Sequence, residues 1–152
     1  MYMRKTIIMF LMLVACLSAS AQTGLKINEL FEGRIIPQER MMETRVRGKS
    51  IAKYQLTYYR SLRLNVTNKE AGQLRQLLGQ DTERSIDWRT SRKNPHSWDT
   101  WTCKMQMPSA GNKNRFLCYQ EEWDKEHEQC KLTVIYMEGT VGSLEELEEL
   151  LK

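Results

Sequence analysis

Proline, histidine and long hydrophobic runs are what this sequence has least of. Its 152 residues include 3 prolines, 8 glycines and 2 histidines. That scarcity of Pro and Gly excludes a collagen-like fibre, and no low-complexity tract or Ser/Pro-rich linker divides the chain. With so few histidines and no H-E-x-x-H or H-x-H pair, zinc-hydrolase chemistry has no ligand set. The G-x-S-x-G elbow and the EF-hand calcium loop are also missing. Gly48, Lys49 and Ser50 imitate the end of a phosphate-binding loop, but the glycine such a loop needs five residues earlier is Glu43. No cofactor is implied. What remains, 41% hydrophobic and 28% charged residues, is the composition of one globular domain.

The longest apolar run, Ile7 to Leu17, covers 11 residues. At about 1.5 Å per residue it reaches roughly half-way across a hydrocarbon layer of about 30 Å, so it predicts no transmembrane span. Arg4 and Lys5 precede it, and Ala19 and Ala21 follow with the spacing of a signal-peptidase site, so residues 1–21 read as a signal peptide and 22–152 as a single domain. Leu13 to Cys16 offers a competing lipobox, with Cys16 as the acylated residue. The A-x-A site is preferred because the apolar run continues beyond Cys16. Either cut sends the protein out of the cytoplasm, to the periplasm or the cell surface. Residues 22–93 are then mainly basic in charge and 94–152 mainly acidic. Such asymmetry fits a homo-oligomer built head to tail, an acidic partner, or two complementary parts of one domain.

Local patterns predict an α+β fold: an antiparallel sheet ending in a three-strand meander, with the helices packed on one face. A short helix is expected around Leu30 and Phe31, with Gly33 as its stop, and a basic edge strand over 41–47. The stretch 51–59 is ambiguous between helix and strand. Leu62, Leu64 and Val66 then alternate with polar residues as a half-buried strand does. Thr67 and Glu70 form a capping box for a helix over 68–78 that Gly79 should end, and 80–100 reads as a long polar loop. The alternation at 101–107, 115–120 and 130–136 gives the meander, and Ser143 with Glu146 caps a closing helix.

The cysteines carry the most specific expectation. With symmetric hairpins centred in the 108–114 turn and near Asp124, Cys103, Cys118 and Cys130 fall in one row on one apolar face of adjacent strands. Opposed residues there are close enough for a disulfide, and export favours oxidation. Buried small hydrophobes, bonded in one pair or free, are the plain reading. Two alternatives give the cysteines chemistry: a redox or nucleophilic thiol paired with His96 or His127, or a metal site joining Cys130 and His127 to a carboxylate such as Glu126 or Glu128.

A candidate binding surface comes from Arg45, Arg47, Lys49, Tyr58 and Arg60, a basic segment with interleaved aromatics, and from Trp88 and Trp98 in the expected loop. Export argues against a nucleic-acid ligand and for an envelope protein or glycan. The signal end Ser20, Ala21, Gln22, the early Leu30 and Phe31, the segment Tyr59 to Leu64 and the closing Val134 to Gly139 before the Leu144 helix together resemble a group of small exported domains of unknown function from Bacteroidetes-type bacteria. The resemblance implies an exported α+β protein and transfers no catalytic residue. The expectation is a non-enzymatic, exported interaction domain.

Overall fold

The computed structural model describes residues 24–152, so the expectations for residues 1–21, including the lipobox cysteine Cys16, lie outside the described residues. Short helix α1, Asn28–Phe31, leads into edge strand β1, Met42–Arg47. A 3-10 turn over Lys49–Tyr54 separates β1 from β2, Leu56–Val66, which resolves the ambiguous stretch: its first half coils and its second half extends. Helix α2, Asn68–Arg84, follows, then β3, Asp87–Lys93; β4, Trp98–Ala110; β5, Lys113–Asp124; β6, Gln129–Gly139; and helix α3, Leu144–Leu150. All six strands join one antiparallel sheet in the order β1-β2-β6-β5-β4-β3. The α+β class expected from the sequence is thus observed, and the sheet is open, with β1 and β3 as its two edges.

Two faces follow from the alternation of side chains along each strand. On the first, Leu62, Leu64, Met105, Leu117, Tyr119, Leu132, Val134 and Tyr136 are buried against α1 and against Ala71, Leu74 and Leu78 of α2. Each fully buried leucine contributes about 1.5–3 kcal/mol, so α2 is held by this stripe rather than by propensity. On the second, Phe116, Met137 and the half-buried Ile135 and Tyr59 pack under Leu144 and Leu147 of α3. The helices therefore lie on both faces, and the expectation of one covered face is corrected. Phe116, Ile135 and Met137 are the cause, because they make the second face apolar at one end, where α3 settles.

Two further expectations change. Gly79 does not stop α2, which runs on to Arg84, because Asp81 is drawn into the core two residues later. Its carboxylate accepts hydrogen bonds from the backbone N–H groups of Lys26 (2.7 Å) and Ile27 (2.9 Å), so the helix continues in order to hold the start of the described chain. The region 80–100 is not a long loop either, since β3 occupies its middle and pairs with β4 from Asp87↔Gln106 to Lys93↔Thr100. A strand at a sheet edge carries little apolar signal, and six of the seven β3 residues are exposed.

Candidate functional site

The cysteines do not form a row. In the β4–β5 pair Cys103 faces Tyr119 and Cys118 faces Lys104; in the β5–β6 pair Cys118 faces Ile135 and Cys130 faces Trp123. Cys103 and Cys130 point into the first face and are buried, while Cys118 points to the second and is half-buried; all three are free thiols. The error has a physical origin at Pro108. The β4–β5 register shifts between Met107 and Ala110, so the hairpin tip and the strand body differ by one residue. Proline cannot donate to a ladder, and a one-residue slip turns every side chain beyond it to the other face. The second hairpin turns beyond Asp124 rather than at it, because the charged Glu121 and Glu122 belong to β5. Between Cys103 and Cys130 lie two strand spacings across the sheet and four residues along it, well beyond the reach of about 7 Å that a disulfide allows.

Burial pushes all three thiols up: Cys118 to about 11, Cys130 to about 12 with Glu121 adding to the shift, and Cys103 in the same direction. A thiolate nucleophile needs the opposite environment. His127 sits in the exposed β5–β6 turn with its Nδ1 2.7 Å from Asp124 Oδ2, while Cys130 is buried. His96 lies exposed before β4. Among the described residues no group of three or more His, Cys, Asp or Glu side chains is placed to hold a metal ion.

The residues nominated as a binding surface separate. Arg45 and Lys49 are exposed near one edge of the sheet, and Arg47 stacks its guanidinium 4.5 Å above the Tyr58 ring. Tyr58 and Arg60 themselves belong to the first face and are buried, which removes them from the surface. Arg60 donates to Glu43 and to the Phe31 carbonyl (3.2 Å) and lies over the Phe31 ring, so it ties β2 to α1. Their even spacing from Leu62 and Leu64 on the same strand was the signal for burial. Trp88 is at the opposite edge, on β3; Trp98 is on the second face, with the Lys131 ammonium 5.2 Å from its ring, and Trp101 packs edge-on against Tyr119 at 5.8 Å. The tryptophans therefore line no common cleft.

Sequence reasoning missed Glu121, a multiply bonded carboxylate in the interior. It is 2% exposed, and its carboxylate accepts from Tyr119 Oη (2.7 Å), Trp123 Nε1 (3.0 Å) and Arg75 Nε of α2 (2.8 Å). Tyr119, Glu121 and Trp123 alternate along β5, a pattern that could have placed the carboxylate on the core face. Burial and the neighbouring carboxylate push the Tyr119 phenol strongly up. Both carboxylate oxygens are bonded, and the bond to Arg75 clasps α2 to the sheet.

The concave feature with an apolar interior lies on the second face. A groove of about 480 Å³ runs between α3 and strands β2, β6 and β5, floored by Cys118, Phe116, Ile135 and Met137 and roofed by Leu144 and Leu147. At its rim Lys104 donates to Glu148 at 3.4 Å. Beyond the end of α3 the same face continues as a wider basin of about 650 Å³ with a mixed lining, bordered by Met42, Arg63, Gln120, Glu122, Lys131, Thr133 and Ile135. Helix α3 is two turns long and covers only the first part, which leaves the rest of the face open.

A family model matches residues 14–151, nearly the whole chain: DUF6108, a family of unknown function. The chain belongs to this family. Comparison with curated proteins and with solved structures returns no match. No helix among the described residues is long and apolar enough to cross a membrane.

Proposed function

We propose that this chain is an exported, non-enzymatic binding domain, and that it takes the apolar part of an envelope component into the groove beneath α3. The observation that carries the reading is the groove itself. Its volume of about 480 Å³ lies within the range of small-ligand sites, its floor and roof are apolar, and its polar groups gather at one rim. The thiols support binding over catalysis, since burial raises all three. The apolar run at 7–17 with its A-x-A site supports export.

Cys118 is a reporter built into the floor. The experiment measures its alkylation by N-ethylmaleimide, followed by mass, in the presence of separated envelope lipids, glycan fragments and envelope proteins. One fraction is expected to slow Cys118 severalfold, and the unfolding-limited labelling of Cys103 and Cys130 slows with it, because a ligand of the native state also opposes unfolding. Equal Cys118 rates in every fraction, or turnover of an envelope substrate by the purified protein, would overturn the reading.

A further inference from the structure

The sheet leaves two edges unpaired, and the β3 edge is the less protected one. Its outer row of backbone N–H and C=O groups has no partner among the described residues. Trp88, 52% exposed, stands on it, and Ile86, 61% exposed, immediately precedes it. Large exposed apolar side chains at an open edge are what soluble proteins usually remove.

Two-fold symmetry restricts how such a strand pairs with its own copy. The axis must stand perpendicular to the sheet, so one residue faces itself and the residues on either side pair symmetrically. Centred on Thr90, the whole of Asp87–Lys93 overlaps its copy. Asp87 then opposes Lys93, Trp88 opposes Arg92, Arg89 opposes Ser91, and Thr90 opposes Thr90. Centring on Arg89 instead sets two guanidinium groups opposite each other, and centring on Ser91 opposes Arg89 with Lys93. Arg92 already donates through its edge to Asp99, Nε to Oδ1 at 2.9 Å, which fixes the group and leaves its planar face free to stack on an indole. Strand β1 lacks this complementarity. Its six residues cannot overlap fully about a two-fold, and its one carboxylate, Glu43, is held by both Arg45 and Arg60, whereas Asp87 on β3 has only a looser contact with Arg89 at 3.7 Å.

From this self-complementary charge pattern on an unpaired edge, we propose that two copies of the chain join β3 to β3, antiparallel and centred on Thr90, into one continuous twelve-stranded sheet. The inference does not rest on the groove, whose floor is formed by β2, β5 and β6; only its rim residue Glu148 reaches this edge, 3.5 Å from Arg89. In such a dimer both grooves open on the same side, because the axis is perpendicular to the sheet.

Charge exchange tests both the dimer and its register. Sedimentation of the protein as recovered from its own cells should show a concentration-dependent dimer. Asp87→Lys and Lys93→Asp should each weaken it at least roughly tenfold, because each places like charges opposite one another twice. Thr90→Lys should weaken it as much by opposing a charge with itself. The double variant Asp87→Lys, Lys93→Asp should restore the dimer, a rescue that a folding defect would not show; circular dichroism of each single variant checks that the sheet is intact. A monomer at all concentrations, a dimer indifferent to the three single changes, failure of the double variant to recover, or capture of this edge by a different protein strand in place of the second copy would each overturn the proposal.

Discussion

Single residues show how polar groups inside this fold are held by geometry rather than by number. Glu121 and Arg75 meet at 2.8 Å with the carboxylate buried and the guanidinium half-exposed. Arg75→Met should therefore cost about 1–3 kcal/mol in urea unfolding, because the carboxylate loses its charged donor but keeps Tyr119 and Trp123. Asp81→Ala removes the acceptor of two N–H groups near the start of α1, and a loss of similar size, about 1–3 kcal/mol, is expected by the same measurement. At the surface, the Arg40 guanidinium bonded to Glu70, together with the Thr67 cap, holds the Glu70 carboxyl down at about 2. A carboxyl depressed below its ordinary 4.5 adds stability that is complete above that value and is lost as the pH falls toward about 2. Arg40→Gln should flatten the unfolding midpoint against pH across that window and leave its slope at neutral pH unchanged.

At the scale of elements, two glycines have opposite meanings. A Cβ at Gly139 would sit 2.1 Å from the Gln55 carbonyl oxygen and 2.8 Å from Leu56 Cα, both backbone atoms. Here β6 passes against the start of β2, where the β2–β6 register shifts between Leu56 and Tyr58. Gly139→Ala should displace that junction and cost about 3 kcal/mol or more by thermal unfolding. Gly79, in the interior of α2, has nothing within 4 Å of such an atom. Gly79→Ala should stabilise the protein by about 0.5–1 kcal/mol, since alanine restricts the unfolded chain and fits the helix. The caps were legible in the sequence for a local reason: Thr67 accepts from the Glu70 N–H and Glu70 returns a bond to the Thr67 N–H. The Ser143 cap is only half of the expected box. Its hydroxyl accepts from the Glu146 N–H, but the Glu146 carboxylate reaches one residue further back, to the Gly142 N–H at 3.0 Å.

In the whole molecule, the basic early residues and the acidic later ones meet within the chain. Arg75 bonds to Glu121, Arg92 to Asp99, and Arg89 approaches Glu148 of α3 at 3.5 Å. The charge asymmetry is thus partly used inside the fold, as two complementary parts of one domain. Thiol accessibility belongs to this scale as well, because it reports which face each strand position was given. Under native conditions at neutral pH, Cys118 should label first and slowly, with Cys103 and Cys130 following only at the rate of unfolding. Mass spectrometry after timed alkylation checks the order; rapid labelling of Cys130 would mean that the core-facing register is wrong.

The sequence by itself determined the features that depend on neighbours a few residues apart. These are the capping residues of α2 and α3, the alternation of β2, β4 and β6, and the α+β class that those elements imply. Only the tertiary structure decided which face each strand presents, that helices cover both faces, and that Glu121, Tyr58 and Arg60 are interior. The reason is parity: one unpaired residue at Pro108 and one hairpin tip moved beyond Asp124 leave every local pattern intact while exchanging inside for outside across the sheet.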